Sequence, residues 1–179
     1  MIMGVDRSMH NNPLAMECAV EMIWNHPDIC HRSIRNIAWS TSLDMCCALK
    51  TQHAILCKAL RVPCHNIYLR GNLHETDWSF CISILEFLLD EIGKEFSCIG
   101  AVYFHDDTYW IRILVNGISI DGHRAFYDNN KCWINLKKTL QEEFGNIFTL
   151  DLSADCLFTN EENNRGNYIC DVSGLNARP

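Results

Sequence analysis

The chain has 179 residues, and its 48% hydrophobic and 21% charged content is typical of a folded globular domain, not of a disordered segment. Its formal net charge of -7 argues against nucleic-acid binding through a broad basic surface. No run of about 18 apolar residues occurs and the N-terminus lacks the basic and apolar regions of a secretion signal. We therefore expect one cytoplasmic domain over residues 1–179, without a membrane span.

Cysteine is unusually abundant, with eleven residues. In a reducing compartment these thiols are expected to stay free, and most would serve as small buried hydrophobic residues. No CxxC pair occurs, and the nearest groups of His and Cys lack the paired spacing of zinc ligands. We therefore expect no metal and no cofactor, and we rank a zinc-binding regulatory module below the two hypotheses given below.

Hydrophobic periodicity predicts helices and strands along most of the chain. The expected helices cover residues 13–25, 29–38, 42–60, 76–92 and 133–144. The expected strands cover residues 64–69, 98–105, 109–115, 118–121, 147–152 and 167–171. Gly71-Asn72 is a turn signal, and Asn116-Gly117 is a strong signal for a two-residue hairpin. Because the helices come first and strands later, we predict an α+β fold with helices packed on a mainly antiparallel sheet.

Cys46 is the best candidate for a nucleophile. Thr41 and Asp44 have the spacing of a capping box, which places Cys46 in the first turns of a helix. The unpaired N–H groups and the dipole at a helix start lower a thiol pKa and favour the reactive thiolate. A buried helix cysteine without chemistry is the alternative interpretation. Cys47, which points about 100° away around the helix, is predicted to be a core residue.

The segment from Cys46 to Gly71 resembles the nucleophile segment of the transglutaminase-like (papain-like) superfamily of cysteine proteases. In that family a cysteine opens a helix, and an "LGIPA" phrase after the helix leads into a strand. Residues 60–64 (LRVPC) stand at the corresponding position. The family also has a strand that begins with His-x-aromatic and a later strand that ends in Asp. Residues 108–112 (TYWIR) and 118–122 (ISIDG) resemble these strands, in the manner of small bacterial and phage members.

The resemblance implies this superfamily's fold and a Cys-His-Asp site in which Asp121 orients the histidine. Thr108 stands where the family has that histidine, so the sequence departs from the pattern. If Asp106-Asp107 is a tight turn, His105 lies directly opposite Thr108, because opposed residues of two paired strands share a face. His105 is therefore the predicted base.

A second candidate for the base follows from the Asn116-Gly117 hairpin. That hairpin would pair Trp110 with His123 and Arg112 with Asp121. His123 would then share a face with the site, although Arg112 would also be placed to form an ion pair with Asp121. The residues expected to line the site are Trp39, Ser40, Trp110 and Arg112.

Two functions are consistent with these patterns. In the first, Cys46 attacks an amide carbonyl to give a thioester, and His105 protonates the leaving amine and then activates water or a second amine. The chain would then be a hydrolase (peptidase or amidase) or a transglutaminase-like transferase. In the alternative, the domain is catalytically decayed and acts as a protein-binding or inhibitory module, as Thr108 in the histidine position suggests. Both hypotheses imply a protein or peptide partner.

Overall fold

A computed structural model describes residues 1–6, 14–38, 41–55, 64–72, 77–126 and 130–151. The helices of these segments, α1 to α4 in chain order, are Ala15–Trp24, Ser42–Ile55, Trp78–Gly93 and Asn130–Phe144. The strands, β1 to β6, are Ile2–Asp6, Ile29–Arg35, Cys64–Asn72, Phe96–His105, Thr108–Ser119 and Thr149–Asp151. The α+β prediction is confirmed. The predicted strand at 167–171 and the candidate residues Trp39 and Ser40 lie outside the described residues.

The six strands form one sheet in the order β2-β4-β5-β3-β1-β6. All neighbouring strands in it are antiparallel except β1 and β6, which run parallel. The predicted mainly antiparallel sheet is therefore confirmed. β5 lies inside the sheet and pairs with β4 on one side and β3 on the other, so its alternate residues face opposite sides of the sheet.

Helices cover both faces of the sheet. One face carries β-strand residues such as Ile67, Ile111 and Val102, which share a buried cluster with residues of α3 and α4. The opposite face carries Ile99 and Leu114, which share a second buried cluster with residues of α1 and α2. Each face of the sheet thus buries its apolar side chains under a pair of helices, which stabilises the fold by removing apolar surface from water.

The predicted hairpin at Asn116-Gly117 is wrong, because β5 continues without interruption through both residues to Ser119. The side chain of Asn116 is fully buried and its Nδ2 donates to Oε1 of Gln52 at 2.6 Å. This hydrogen bond and the pairing of Phe96 with Ser119 keep β5 extended beyond Asn116-Gly117, where the local sequence favours a turn. The pairings of Trp110 with His123 and of Arg112 with Asp121, which depended on that hairpin, are wrong as well.

The tight turn lies instead at Asp106-Asp107, between β4 and β5. Both residues have positive φ, 47° and 54°, as the two-residue hairpin turn requires. His105 and Thr108 are the directly opposed pair that flanks it, as predicted.

Two further local predictions are wrong. Residues 29–38 were expected to be helical, but Ile29–Arg35 form β2, an edge strand paired with β4. Arg35 contacts Glu86 and Asp90 of α3 at 2.7 Å, so contacts distant in sequence hold this segment extended. The expected turn at Gly71-Asn72 is the end of β3, where Asn72 pairs with Thr108.

The predicted capping box at the start of α2 is confirmed. The backbone N–H of Thr41 donates to Oδ2 of Asp44 at 2.9 Å, and the N–H of Asp44 donates to Oγ1 of Thr41 at 3.2 Å. These reciprocal bonds satisfy two N–H groups that the helix itself leaves unpaired.

Gly4 in β1 makes room for the side chain of Tyr68 in β3. The two residues are a cross-strand pair, and a Cβ atom on Gly4 would overlap the ring and hydroxyl of Tyr68. Tyr68 is 2% exposed, so its ring has little freedom to move aside. The absence of a side chain at position 4 therefore lets Tyr68 lie flat over β1.

We expect Gly4→Ala to destabilise the fold by about 1–3 kcal/mol, the usual cost of overpacking a buried site. Denaturant unfolding measures the free energy of unfolding directly. In a Tyr68→Leu background, which removes the ring, the same Gly4→Ala change should cost about half as much or less. Equal costs in the two backgrounds would contradict this packing.

Candidate functional site

Cys46 lies in α2 and faces the sheet. Its side chain is 6% exposed and belongs to the buried cluster on the α1–α2 face of the sheet. The apolar neighbours in that cluster include Met45, Leu49, Cys64 and Leu114. The thiol is therefore enclosed by apolar side chains instead of opening onto a groove.

The electrostatic surroundings of Cys46 disfavour a thiolate. Burial, followed by the negative charge of Glu17, raises the pKa of its thiol from 9.0 to about 12. Glu17 is itself in an ion pair with Lys50, which joins α1 to α2. Burial is the largest cause of the raised pKa, so the thiol of Cys46 lacks the lowered pKa that its position near the helix start predicts. Cys47, which was predicted to be a core residue, is exposed, and that prediction is wrong.

His105 lies at the end of β4, beside the Asp106-Asp107 turn. Its Nδ1 is 3.1 Å from Oδ2 of Asp28, and its Nε2 is 3.4 Å from Oδ2 of Asp106. Both ring nitrogens thus face carboxylates of the exposed loops. Thr108, its cross-strand partner, donates its hydroxyl to the backbone carbonyl of Asp106 at 3.2 Å.

The sheet register keeps Cys46 and His105 apart. Cys46 lies near Cys64, since the two share a cluster and Cys46 raises the pKa of the Cys64 thiol. Cys64 pairs with Asn116, whereas His105 pairs with Thr108 at the other end of β5. The eight residue-to-residue steps from Thr108 to Asn116 correspond to a rise of about 27 Å along an antiparallel strand. The structure therefore does not bring the predicted nucleophile and base together.

Asp121 and His123 lie in the turn that follows β5. Asp121 accepts hydrogen bonds from Oγ of Ser119 at 2.5 Å and from the backbone N–H of His123 at 3.0 Å. These bonds hold the pKa of Asp121 below its usual value, chiefly the bond from Ser119. Asp121 and His123 are both exposed, and β5 separates them from His105. Asp121 therefore stabilises this turn and does not orient His105.

Trp110 and Arg112 belong to a cluster on the α1–α2 face of the sheet, near the His105 end. The cluster combines aromatic rings and arginine side chains from β3, β4, β5 and the connection between α1 and β2. We call it the aromatic–arginine cluster, and its members are His26, Tyr68, Arg70, Tyr103, Trp110 and Arg112.

Four members form a continuous stack across three strands. The rings of His26 and Tyr103 are 4.5 Å apart, and the parallel rings of Tyr103 and Trp110 are 6.2 Å apart. The guanidinium of Arg70 lies 5.7 Å from the centre of the Trp110 ring. Tyr103 and Arg70 are the direct cross-strand partners of Trp110 on its two sides, so the register builds the stack.

The cluster has a buried base and an accessible rim. Tyr68, Tyr103 and Arg112 are at most 8% exposed, whereas His26, Arg70 and Trp110 are half-buried. Arg112 lies 5.5 Å from the Tyr103 ring centre. Cation–π contacts of this kind hold a guanidinium in place and contribute about 0.5–2 kcal/mol each.

His26 is held in a defined state within the stack. Its Nδ1 accepts a hydrogen bond from the backbone N–H of Asp28 at 3.2 Å. Burial lowers the pKa of His26 most, and the positive charge of Arg112 also lowers it, against the opposing effect of Asp28. The ring is therefore neutral at neutral pH.

Sequence patterns found only part of this cluster. Trp110 and Arg112 were singled out as site-lining residues, but His26, Arg70, Tyr68 and Tyr103 were not. Tyr68 lies in the predicted strand 64–69 and Arg70 directly follows it, and two residues at this spacing share a face when the strand extends through both. Only the register of β3 and β4 against β5 brings them to Trp110, and no local pattern specifies that register.

The described residues offer no metal site: no group of three or more His, Cys, Asp or Glu side chains among them could hold a metal ion. No helix in this part of the chain is both long enough and apolar enough to cross a membrane.

We expect His26 to titrate below its ordinary pKa of 6.5. NMR measurement of its ring protons against pH tests this, and Arg112→Gln should raise the midpoint. Since the folded-state pKa is lowered, the neutral ring stabilises the fold above pH 6.5, and this contribution is lost as the pH falls through the folded-state pKa. A midpoint above 6.5 in the unmodified chain would contradict the burial of this ring.

The chain was compared with known proteins at three levels. It matches no protein-family model, no curated protein sequence and no solved structure. The geometry described above is therefore the basis for any statement about function.

Proposed function

We propose that this chain is a non-catalytic domain that binds a partner protein. This is the second of the two functions that the sequence suggests, in which a transglutaminase-like site has lost its activity. The observation that carries the proposal is the enclosure of Cys46 in the core, with its thiol pKa raised to about 12. Cysteine catalysis needs an accessible thiolate at neutral pH, and burial opposes both accessibility and ionisation.

The separation of the candidate partners is the second support. A cysteine nucleophile needs an imidazole within hydrogen-bond reach, even if the geometry is loose before substrate binds. His105 pairs with Thr108, at the opposite end of β5 from Asn116 and Cys64. Its ring nitrogens face Asp28 and Asp106. Moving His105 to Cys46 would require the sheet register to change, which a small side-chain adjustment does not achieve.

The composition of the aromatic–arginine cluster supports a binding role. Tyr, Trp and Arg are enriched among the residues that contribute most to protein–protein affinity, because they combine a large contact area with directional polar groups. Here rigid strands hold Trp110 and Arg70 in fixed orientations at the rim of a packed base. Such preorganisation lowers the conformational entropy lost on binding.

The transglutaminase-like (papain-like) fold itself remains part of this proposal. It is supported by a capped helix that carries Cys46, and by strand β3 after it. The later strands β4 and β5 are antiparallel, as that fold requires of its core. A cytoplasmic location is proposed as well, and the absence of any disulfide between two cysteines of the described segments supports it.

Alkylation rates test the proposal, with Cys47 as the matched neighbour. We expect iodoacetamide at pH 7.5 to label exposed Cys47 at the rate of an ordinary surface thiol. Cys46 should react at least about 100-fold more slowly in the folded chain, since a thiol of higher pKa has less thiolate and burial blocks access. Mass spectrometry of peptides from a time course measures both rates.

The enzyme hypothesis makes the opposite prediction. If Cys46 is labelled faster than Cys47, and Cys46→Ala abolishes an amidase or transamidase activity that Cys47→Ala retains, the binding proposal is wrong. Cys46 and Cys47 lie in one tryptic peptide, residues 36–50, so fragment ions assign the label to each residue. A denatured sample, in which both thiols are accessible, shows that labels at the two positions are detected equally well.

A further inference from the structure

Several positively charged side chains of the described residues form ion pairs with acidic groups, but Arg70 does not. Lys50 pairs with Glu17, Arg35 pairs with Glu86 and Asp90, and Arg124 pairs with Glu95. For Arg70, no carboxylate of the described segments lies within ion-pair distance, and its recorded contact is the ring of Trp110. Among the described residues Arg32 also has no carboxylate within that distance, so what sets Arg70 apart is its place beside the stacked rings of Trp110 and Tyr103.

The stack orients this guanidinium. The guanidinium carbon of Arg70 lies over Trp110 at 5.7 Å from the ring centre, and the parallel ring of Tyr103 lies 6.2 Å from that of Trp110. A cation–π contact does not use the N–H donors of a guanidinium for hydrogen bonds to a carboxylate, so they remain available for one. Because Arg70 is on a paired strand and half-buried, fewer rotamers are open to it than to a surface arginine.

A carboxylate is the group that matches these donors. Guanidinium and carboxylate form two parallel charge-assisted hydrogen bonds, which add both affinity and geometric specificity. Asp28 and Asp106, the acids near the His105 end of the sheet, are engaged with His105. At physiological salt the Debye length is about 8 Å, so the remote negative charges of the chain are screened. The attraction of a carboxylate therefore depends mainly on the charges close to Arg70.

We propose that Arg70 and Trp110 bind a carboxylate side chain, with an adjacent apolar side chain, from an acidic segment of a partner protein. The carboxylate pairs with the N–H edge of Arg70, and the apolar neighbour packs on the accessible edge of Trp110. This inference rests on the proposed binding function and assigns its contact point. A guanidinium and an indole at the centre of a contact are typical of residues that dominate affinity.

Selection from a random dodecapeptide display library on the full chain tests the proposal. We expect the enriched peptides to carry Asp or Glu next to an apolar residue. Fluorescence anisotropy of the best synthetic peptide then gives its Kd. Arg70→Gln should weaken binding at least about tenfold. Arg70→Lys keeps the charge but not the planar guanidinium, so its Kd should lie between those of the unmodified chain and Arg70→Gln.

Arg32 is the matched control. Its guanidinium lies 5.3 Å from the ring centre of Trp24, so it makes the same kind of cation–π contact on the same face of the sheet. Arg32→Gln should change the Kd by no more than about twofold. Circular dichroism and thermal unfolding of each variant show that the folded state is retained, and Arg70→Lys preserves the test if Arg70→Gln does not fold.

Several outcomes would overturn the proposal. They are the enrichment of peptides without acidic residues, the failure to enrich any peptide, and equal affinity of the unmodified chain and Arg70→Gln. Binding of a mononucleotide such as AMP that depends on Arg70, without binding of acidic peptides, would overturn it too. Fast alkylation of Cys46 together with Arg70-dependent peptide binding would refute the non-catalytic role but retain this contact, so the two failures are distinguishable.

Discussion

The pairing of β5 with strands on both of its sides is the constraint on which the rest of the structure depends. Residues 108–115 of β5 are bonded to β4 on one edge and to β3 on the other. A shift of one residue in either register would move the apolar side chains Ile111 and Ile113 from the core to the opposite face. The buried clusters on both faces therefore fix the register, and the register fixes which functional side chains meet.

Both observations behind the proposed function follow from that register. It places Thr108 and His105 at one end of the sheet and Asn116 with Cys64 at the other, so the thiol of Cys46 is far from His105, the predicted base. It also brings Tyr103 and Arg70 against the two sides of Trp110. The same pairing that separates the predicted nucleophile and base thus assembles the aromatic–arginine cluster.

Much of the fold was accessible from sequence because strong local signals agree with the tertiary structure. The capping box of Thr41 and Asp44 and the long apolar helix Trp78–Gly93 formed as expected. The paired aspartates 106 and 107 adopted the positive φ that a tight hairpin turn needs. In each case, interactions among a few adjacent residues determine the local structure.

The predictions that failed depend on contacts between distant residues. Asn116-Gly117 has a strong local preference for a turn, but the buried hydrogen bond from Asn116 to Gln52 outweighs it. Ile29–Arg35 is extended because β4 and the carboxylates of α3 hold it, which no local pattern reveals. Cys46 was predicted to be reactive because the dipole at a helix start lowers a thiol pKa. Burial against the sheet is instead the largest cause of its raised pKa.

Proton–proton nuclear Overhauser effects from the β-protons of Cys46 show whether its thiol lies in the core or beside a histidine. We expect cross-peaks to side chains of the buried cluster, such as Leu49, Cys64 or Leu114, and none to the ring protons of His105. Assigned cross-peaks between Cys46 and the imidazole of any histidine would contradict this expectation, because they would put a base within reach of the thiol.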